Sequence, residues 1–169
     1  DFDKALSLFT WESSDSIIEV DFGSCHGANY QTLSLLVPFL MRMRALGKRI
    51  EFFYSGNRQG ATTMWKKMGA GGLISVLFDE NDNFRAGRYK PLFALRTNAD
   101  FAQILSKVSV FTNDFTIQYE KTLRYVLTEI FYNALEHGRA YETHGFRSLQ
   151  IPPIVQFSFY DERNEISFI

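Results

Sequence analysis

The sequence predicts a mixed α/β fold in which a small sheet with helices is followed by a long helix and an antiparallel hairpin. Three observations carry that expectation. Apolar runs of strand length alternate with helix-period segments over residues 1–78, an order that favours parallel strands joined by helical crossovers. Residues 113–138 hold the strongest helical periodicity in the chain. Residues 151–169 alternate apolar and polar positions on either side of a polar tetrad, as a hairpin does.

Composition sets the bounds. The 169 residues suffice for one large domain or two small ones, and 46% are hydrophobic, so a buried core is expected and global disorder is not. The formal net charge is −1 and no long basic run occurs, which argues against a nucleic-acid partner. Cys25 is the single cysteine, so no disulfide can form within the chain; a reducing cytoplasm fits that count. Apolar runs such as LSLLVPFL are too short to span a bilayer, no signal-peptide pattern opens the chain, and no membrane partner is expected. The first residue is Asp rather than Met, which suggests a piece of a longer protein.

The elements run in order along the chain. FDKALSLFTW places Phe2, Leu6 and Phe9 at the spacing of a short helix. Ile17, Ile18, Val20 and Phe22 form a nearly continuous apolar run, the mark of a strand buried on both faces. Leu33, Leu36, Val37, Leu40 and Met41 predict a helix, with Asn29 as N-cap and Gly47 as C-terminal stop. Arg42, Arg44 and Lys48 suit the negative end of its dipole, and Pro38 should kink it. KRIEFFYSG is the next strand, ATTMWKKMGAGG a short helix closed by glycines, and GLISVLF a further strand or an irregular segment. Residues 79–90 are polar and read as a loop or linker. PLFALR predicts a short strand and NADFAQILSKVSVF a helix beginning near Asn98.

From Asn113 to Gly138, Tyr119, Leu123, Val126, Leu127, Ile130, Phe131, Ala134 and Leu135 make one broad apolar stripe. RAYETHGFRSLQ then reads as a polar loop. Val155, Phe157 and Phe159 alternate with Gln156, Ser158 and Tyr160, and a turn at Asp161 to Asn164 returns the chain into EISFI. That second strand stops at Ile169 almost as it begins, so further residues are expected to belong to the fold.

The chemistry sits on the long helix. At about 100° per residue, Glu129 and Asn133 lie about 40° apart along one edge of the stripe, with Thr122 and Glu136 on the same edge. A carboxylate there can accept a proton from an attacking hydroxyl. A carboxamide oxygen can hold Mg²⁺, which takes hard oxygen ligands and shares them with phosphates. Spacing alone is equally what the rim of any amphipathic helix shows.

The full string adds to this. EIFYNALEHG resembles the N-box of the GHKL ATP-binding domains, the fold of gyrase, Hsp90 and histidine kinases, and is most similar to the anti-sigma-factor serine-kinase branch. Glu129, Asn133, Ala134, His137 and Gly138 carry the match, and the hairpin behind them occupies the place the family gives it. The resemblance implies Glu129 as general base, Asn133 as ligand of the Mg²⁺ bridging the ATP phosphates, and His137 and Gly138 closing the helix beside the nucleotide. It covers residues 113–169. The family's Asp and Gly-rich turn that reads adenine, its ATP lid and its later glycine motif have no counterpart, so ATP and Mg²⁺ are expected in a complete protein and not to bind this chain measurably.

IIEVDFGSCHGANYQTLSLLVPFLMRMRALGKRIEFFY, followed by MWKKMGA, resembles a STAS domain, the fold of anti-sigma-factor antagonists. Asp21, Gly47-Lys48-Arg49 and Met68-Gly69 carry that likeness. Where the family has Asp-Ser-Ser-Gly this chain has Asn29, Tyr30, Gln31 and Thr32, so the phosphorylated Ser is missing and Thr32 sits one turn into the helix. The resemblance therefore implies a docking or dimerising module without a phosphoswitch.

The implied organisation is a STAS-like α/β domain at 1–90, a linker and helix at 91–112, and at 113–169 the N-terminal part of a GHKL-type α/β sandwich, long helix plus hairpin. The implied function is that of a cytoplasmic regulator in partner switching or signalling. Its partner would be a protein such as a sigma factor, an anti-sigma antagonist or another signalling protein, with a homodimer as a further expectation. The alternative is a non-enzymatic STAS-like interaction or dimerisation module that uses no nucleotide. Elsewhere, Cys25-His26 lacks the companions of a zinc site, and nothing in the sequence supplies Cys25 with a base. His144 lies in a loop, and Gly69 to Gly72 come after a helix instead of opening one, unlike a phosphate cradle. Trp65 reads as core.

Overall fold

The computed structural model of the chain describes residues 4, 6–54, 56, 60–69, 92–111, 115–138, 140–144, 147–163 and 165–169. These form a mixed α/β arrangement. The expected segment GLISVLF and the loop 79–90 lie outside the described residues, as does most of the start of the anticipated first helix. Past that start the chain turns, and Phe9 N–H donates to the Leu6 carbonyl.

The first part is a βαβ unit. β1 (Ile17–Asp21) and β2 (Arg49–Phe53) pair in parallel, from Ile17 opposite Arg49 to Asp21 opposite Phe53, and α1 (Tyr30–Ala45) connects them. Both ends of α1 are set by their sequence. The Asn29 side chain accepts the Thr32 N–H at 2.7 Å. At the other end Gly47 adopts φ 81, Gly47 N–H donates to Arg44 and Lys48 N–H to Met43, each at 3.0 Å, which is a Schellman closure. α1 is continuous through Pro38.

α1 is buried round most of its circumference, including Leu33, Val37, Phe39, Leu40, Met41 and Met43. A helix apolar on nearly every side needs neighbours on nearly every side. It packs against β2 and also against a hairpin formed much later in the chain. α2 (Ala61–Gly69) buries Ala61, Trp65 and Met68, and the Trp65 ring lies 5.4 Å from Phe22 and 5.8 Å from Phe52.

β1 corrects one expectation. It is buried on one face and not on both: Val20 is buried and Ile18 half-buried, while Ile17, Glu19 and Asp21 are exposed. The two carboxylates within the apolar run keep that face in water.

The second part begins at β3 (Leu92–Ala94), followed by α3 (Asn98–Phe111) and α4 (Ile117–His137). α3 starts with a reciprocal cap: Thr97 N–H donates to the Asp100 carboxylate at 3.0 Å, and Asp100 N–H to the Thr97 hydroxyl at 3.3 Å. α4 starts at a Thr116 cap, later than the periodicity from Asn113 suggested; residues 112–114 lie outside the described ones.

After α4, the stretch expected as a polar loop is a hairpin: β4 (Ala140–His144) pairs antiparallel with β5 (Arg147–Ile151). Tyr141 and Thr143 alternate with polar neighbours, and the strands have a surface to lie on, because α1 packs against both. β6 (Ile154–Tyr160) and β7 (Glu165–Phe168) form the expected hairpin, with a 3-10 turn at Asp161–Arg163 between them and Tyr160 opposite Glu165. β6 also pairs antiparallel with β3, giving the order β3-β6-β7.

This three-stranded sheet is covered on both faces. Leu92 and Ala94 belong to the core that contains Val20, α1 and Trp65. Their neighbours Phe93 and Leu95 belong to a second core with Ile104, Val108, Leu127, Phe131 and Leu135. Strand alternation divides them: adjacent residues point to opposite faces, so β3 contributes to both cores at once. β6 does the same, with Ile154 against the first core and Val155 in the second.

Candidate functional site

α4 is held by a narrow seam. Leu127, Phe131 and Leu135, at i, i+4 and i+8, are buried against β3, β6 and α3. Phe101 of α3 meets Phe131 edge to face at 5.9 Å. The seam is narrower than the stripe expected from periodicity. Leu123 and Ala134 are partly buried, but Tyr119, Val126 and Ile130 are 54%, 44% and 46% exposed. Period gives the angular spread of apolar residues, whereas burial depends on how much of that arc a neighbour covers.

The expected site residues lie beside this exposed apolar edge. Glu129, Asn133, His137 and Gly138 are all exposed. The first three stand at i, i+4 and i+8, so they climb the helix as one ladder. Neither Glu129 nor Asn133 hydrogen-bonds through its side chain to another described residue, in contrast to neighbours that are occupied. Thr122 and Thr128 donate their hydroxyls to the carbonyls of Gln118 and Arg124, and Arg124 pairs with Glu120 at 2.9 Å. The ladder thus combines a carboxylate, a carboxamide and an imidazole on a helix whose opposite face is anchored.

Gly138 ends the helix by close approach. Its φ is −85, an ordinary value, and its N–H donates to the Ala134 carbonyl at 2.8 Å. An added Cβ would meet that carbonyl oxygen and the Pro153 ring. Hydrogen-bonded to the same corner, Leu95 N–H donates to the Pro153 carbonyl at 2.9 Å. The C-terminal end of the ladder is therefore tied to the β5–β6 corner and, through it, to the end of β3.

Of the remaining candidates, Cys25 is half-buried and directs its thiol to the Gly27 carbonyl at 3.1 Å. Gly60, at φ 79, packs on the Cys25 and His26 carbonyls, so this loop is bound to the start of α2. Thr32 is half-buried, with its N–H held by the Asn29 cap. Trp65 is fully buried. The side chain of His144 is outside the described ones. Among the described residues no three His, Cys, Asp or Glu gather to hold a metal ion, and no helix is long and apolar enough to cross a membrane. Missed from sequence was the open groove along β1, whose signal was the pair of carboxylates alternating with Ile18 and Val20. No family model, curated protein or solved structure matches the chain.

Proposed function

We propose that this chain is the regulatory half and the first part of the catalytic half of an ATP-dependent signalling protein, a STAS-like unit joined to a GHKL-type nucleotide site. One observation carries the reading: Glu129 and Asn133 stand exposed and free of hydrogen bonds to described residues along one rim of an otherwise anchored helix, inside the string EIFYNALEHG. The antiparallel β6–β7 hairpin in the sheet beneath α4 is the companion that the resemblance implies.

On this reading the Asn133 carboxamide oxygen holds Mg²⁺ beside the phosphates, and Glu129 takes the proton from water or from a partner's serine hydroxyl. ATP, when bound, supplies the phosphoryl group. A single neutral oxygen suits Mg²⁺, which keeps waters and shares phosphate oxygens instead of demanding an all-protein cage. The exposed Val126 and Ile130 beside the ladder fit an edge that more protein or a nucleotide covers.

The same exposed apolar edge supports the rival reading, an interaction module in which α4 only binds a protein partner. Calorimetric titration with Mg-ATP separates the two. The expected result is no measurable binding by the 169-residue chain and binding by a full-length protein continuing past Ile169. The Asn133→Ala variant of the latter should lose that binding. Equal ATP affinity of wild type and Asn133→Ala would sink the nucleotide reading.

A further inference from the structure

Among the described residues β1 pairs with β2 alone, and a groove of about 460 Å³ runs along its other side. Leu8 and Phe9 form one wall, Leu36 and Phe39 of α1 the floor, and all five residues of β1, Ile17 to Asp21, line it. Successive strand residues point to opposite faces, so a cavity touched by all five cannot lie on one face. It lies along the strand's edge, where N–H and C=O groups are left unpaired by the described residues.

The two sides of that edge differ. Ile18 and Val20 pack into the core beside Leu36 and Phe39. Glu19 and Asp21 point the other way and are exposed; the Glu19 side chain has no hydrogen bond or ion pair with a described residue, and the Asp21 carboxylate accepts the Gly23 N–H through one oxygen at 2.6 Å. A strand added here would meet the apolar surface beside Ile18 and Val20 on one side, and Ile17 with the Glu19 and Asp21 carboxylates on the other.

We propose that the β1 edge is a strand-addition site for an extended segment of a partner protein in which apolar and basic residues alternate. Main-chain hydrogen bonds to β1 supply affinity, and the alternation supplies specificity. The apolar residues lie over Leu36 and Phe39, the basic ones beside Glu19 and Asp21. At about 3.3 Å per residue, a segment of about five residues matches β1. The site is independent of the nucleotide reading, since none of its residues lies on α4.

The test is fluorescence anisotropy of the whole chain with a labelled peptide alternating valine and lysine over about seven residues. Saturable binding is expected. It should weaken at least about tenfold when the central valine is proline, which removes a ladder donor, and several-fold at about 1 M salt. Glu19→Lys should weaken it by a similar factor; Ile17→Lys, also exposed, serves if the first variant misfolds. Absence of saturable binding, or equal binding of the proline peptide, overturns the proposal. So does a dimer in sedimentation that Glu19→Lys abolishes while no peptide binds, because the edge would then belong to a second copy.

Discussion

Gly138 and Pro153 touch: a Cβ placed on Gly138 would lie 3.0 Å from the Pro153 Cβ and 2.5 Å from the Ala134 carbonyl oxygen. The β4–β5 hairpin leaves the end of α4 at Gly138 and returns at Pro153, so its two feet meet. Between them the hairpin lies on α1. One contact thus joins the helix carrying Glu129 and Asn133 to the part of the fold built on β1, β2 and α1.

Gly138→Ala tests that contact. An alanine here gains up to about 1 kcal/mol from a less flexible unfolded chain. Overpacking against backbone and a proline ring costs about 1–3 kcal/mol. The second effect is larger, so net destabilisation of about 1–2 kcal/mol is expected in urea unfolding. An unchanged or higher midpoint would mean that the corner yields freely.

Phe131→Ala and Ile130→Ala should separate the seam of α4 from its exposed edge. Phe131 is fully buried and paired with Phe101, so its truncation should cost about 3–5 kcal/mol. Ile130 is 46% exposed, and its truncation should stay within about 1 kcal/mol. Equal losses at the two positions would mean that something covers Ile130.

Where local chemistry decides structure, it was readable. Asn29 caps α1 and Gly47 closes it as expected, because both act through bonds within a few residues. The β6–β7 hairpin was equally plain, since alternation and turn lie side by side. The β4–β5 hairpin was not readable: its strands owe their place to α1, about a hundred residues earlier in the chain. The exposure of Tyr119, Val126 and Ile130 was hidden for a related reason, because the width of a buried seam is set by neighbours and not by period. At the site, residue identities came from the string EIFYNALEHG, while the freedom of Glu129 and Asn133 from bonds to described residues emerged only from the fold.

Glu129→Gln and Asn133→Ala exploit that freedom. Both side chains are exposed and unbonded to described residues, so thermal unfolding of either variant should match wild type within about 0.5 kcal/mol. In a full-length protein that turns over ATP, Glu129→Gln should depress turnover by about 10²-fold or more, as loss of a general base does. A variant that unfolds early instead would reveal a structural role and remove the reason to read these residues as a site.

Tyr30 connects the two parts of the fold electrostatically. It opens α1, and its phenol has a pKa above the ordinary value, first because it is partly buried and second because Tyr160 at the end of β6 stands close. A native pKa above the unfolded one means that the folded chain holds the phenolic proton more tightly. The resulting stabilisation is complete below about pH 10, the unfolded value, and is lost as pH rises through the folded one. Wild-type stability should therefore fall relative to Tyr30→Phe as pH rises above about 10 in urea titrations. Tyr160→Phe should reduce that fall only in part, because burial is the larger cause. Parallel curves for wild type and Tyr30→Phe across this range would mean that the start of α1 is open to solvent and that β6 does not bear on it.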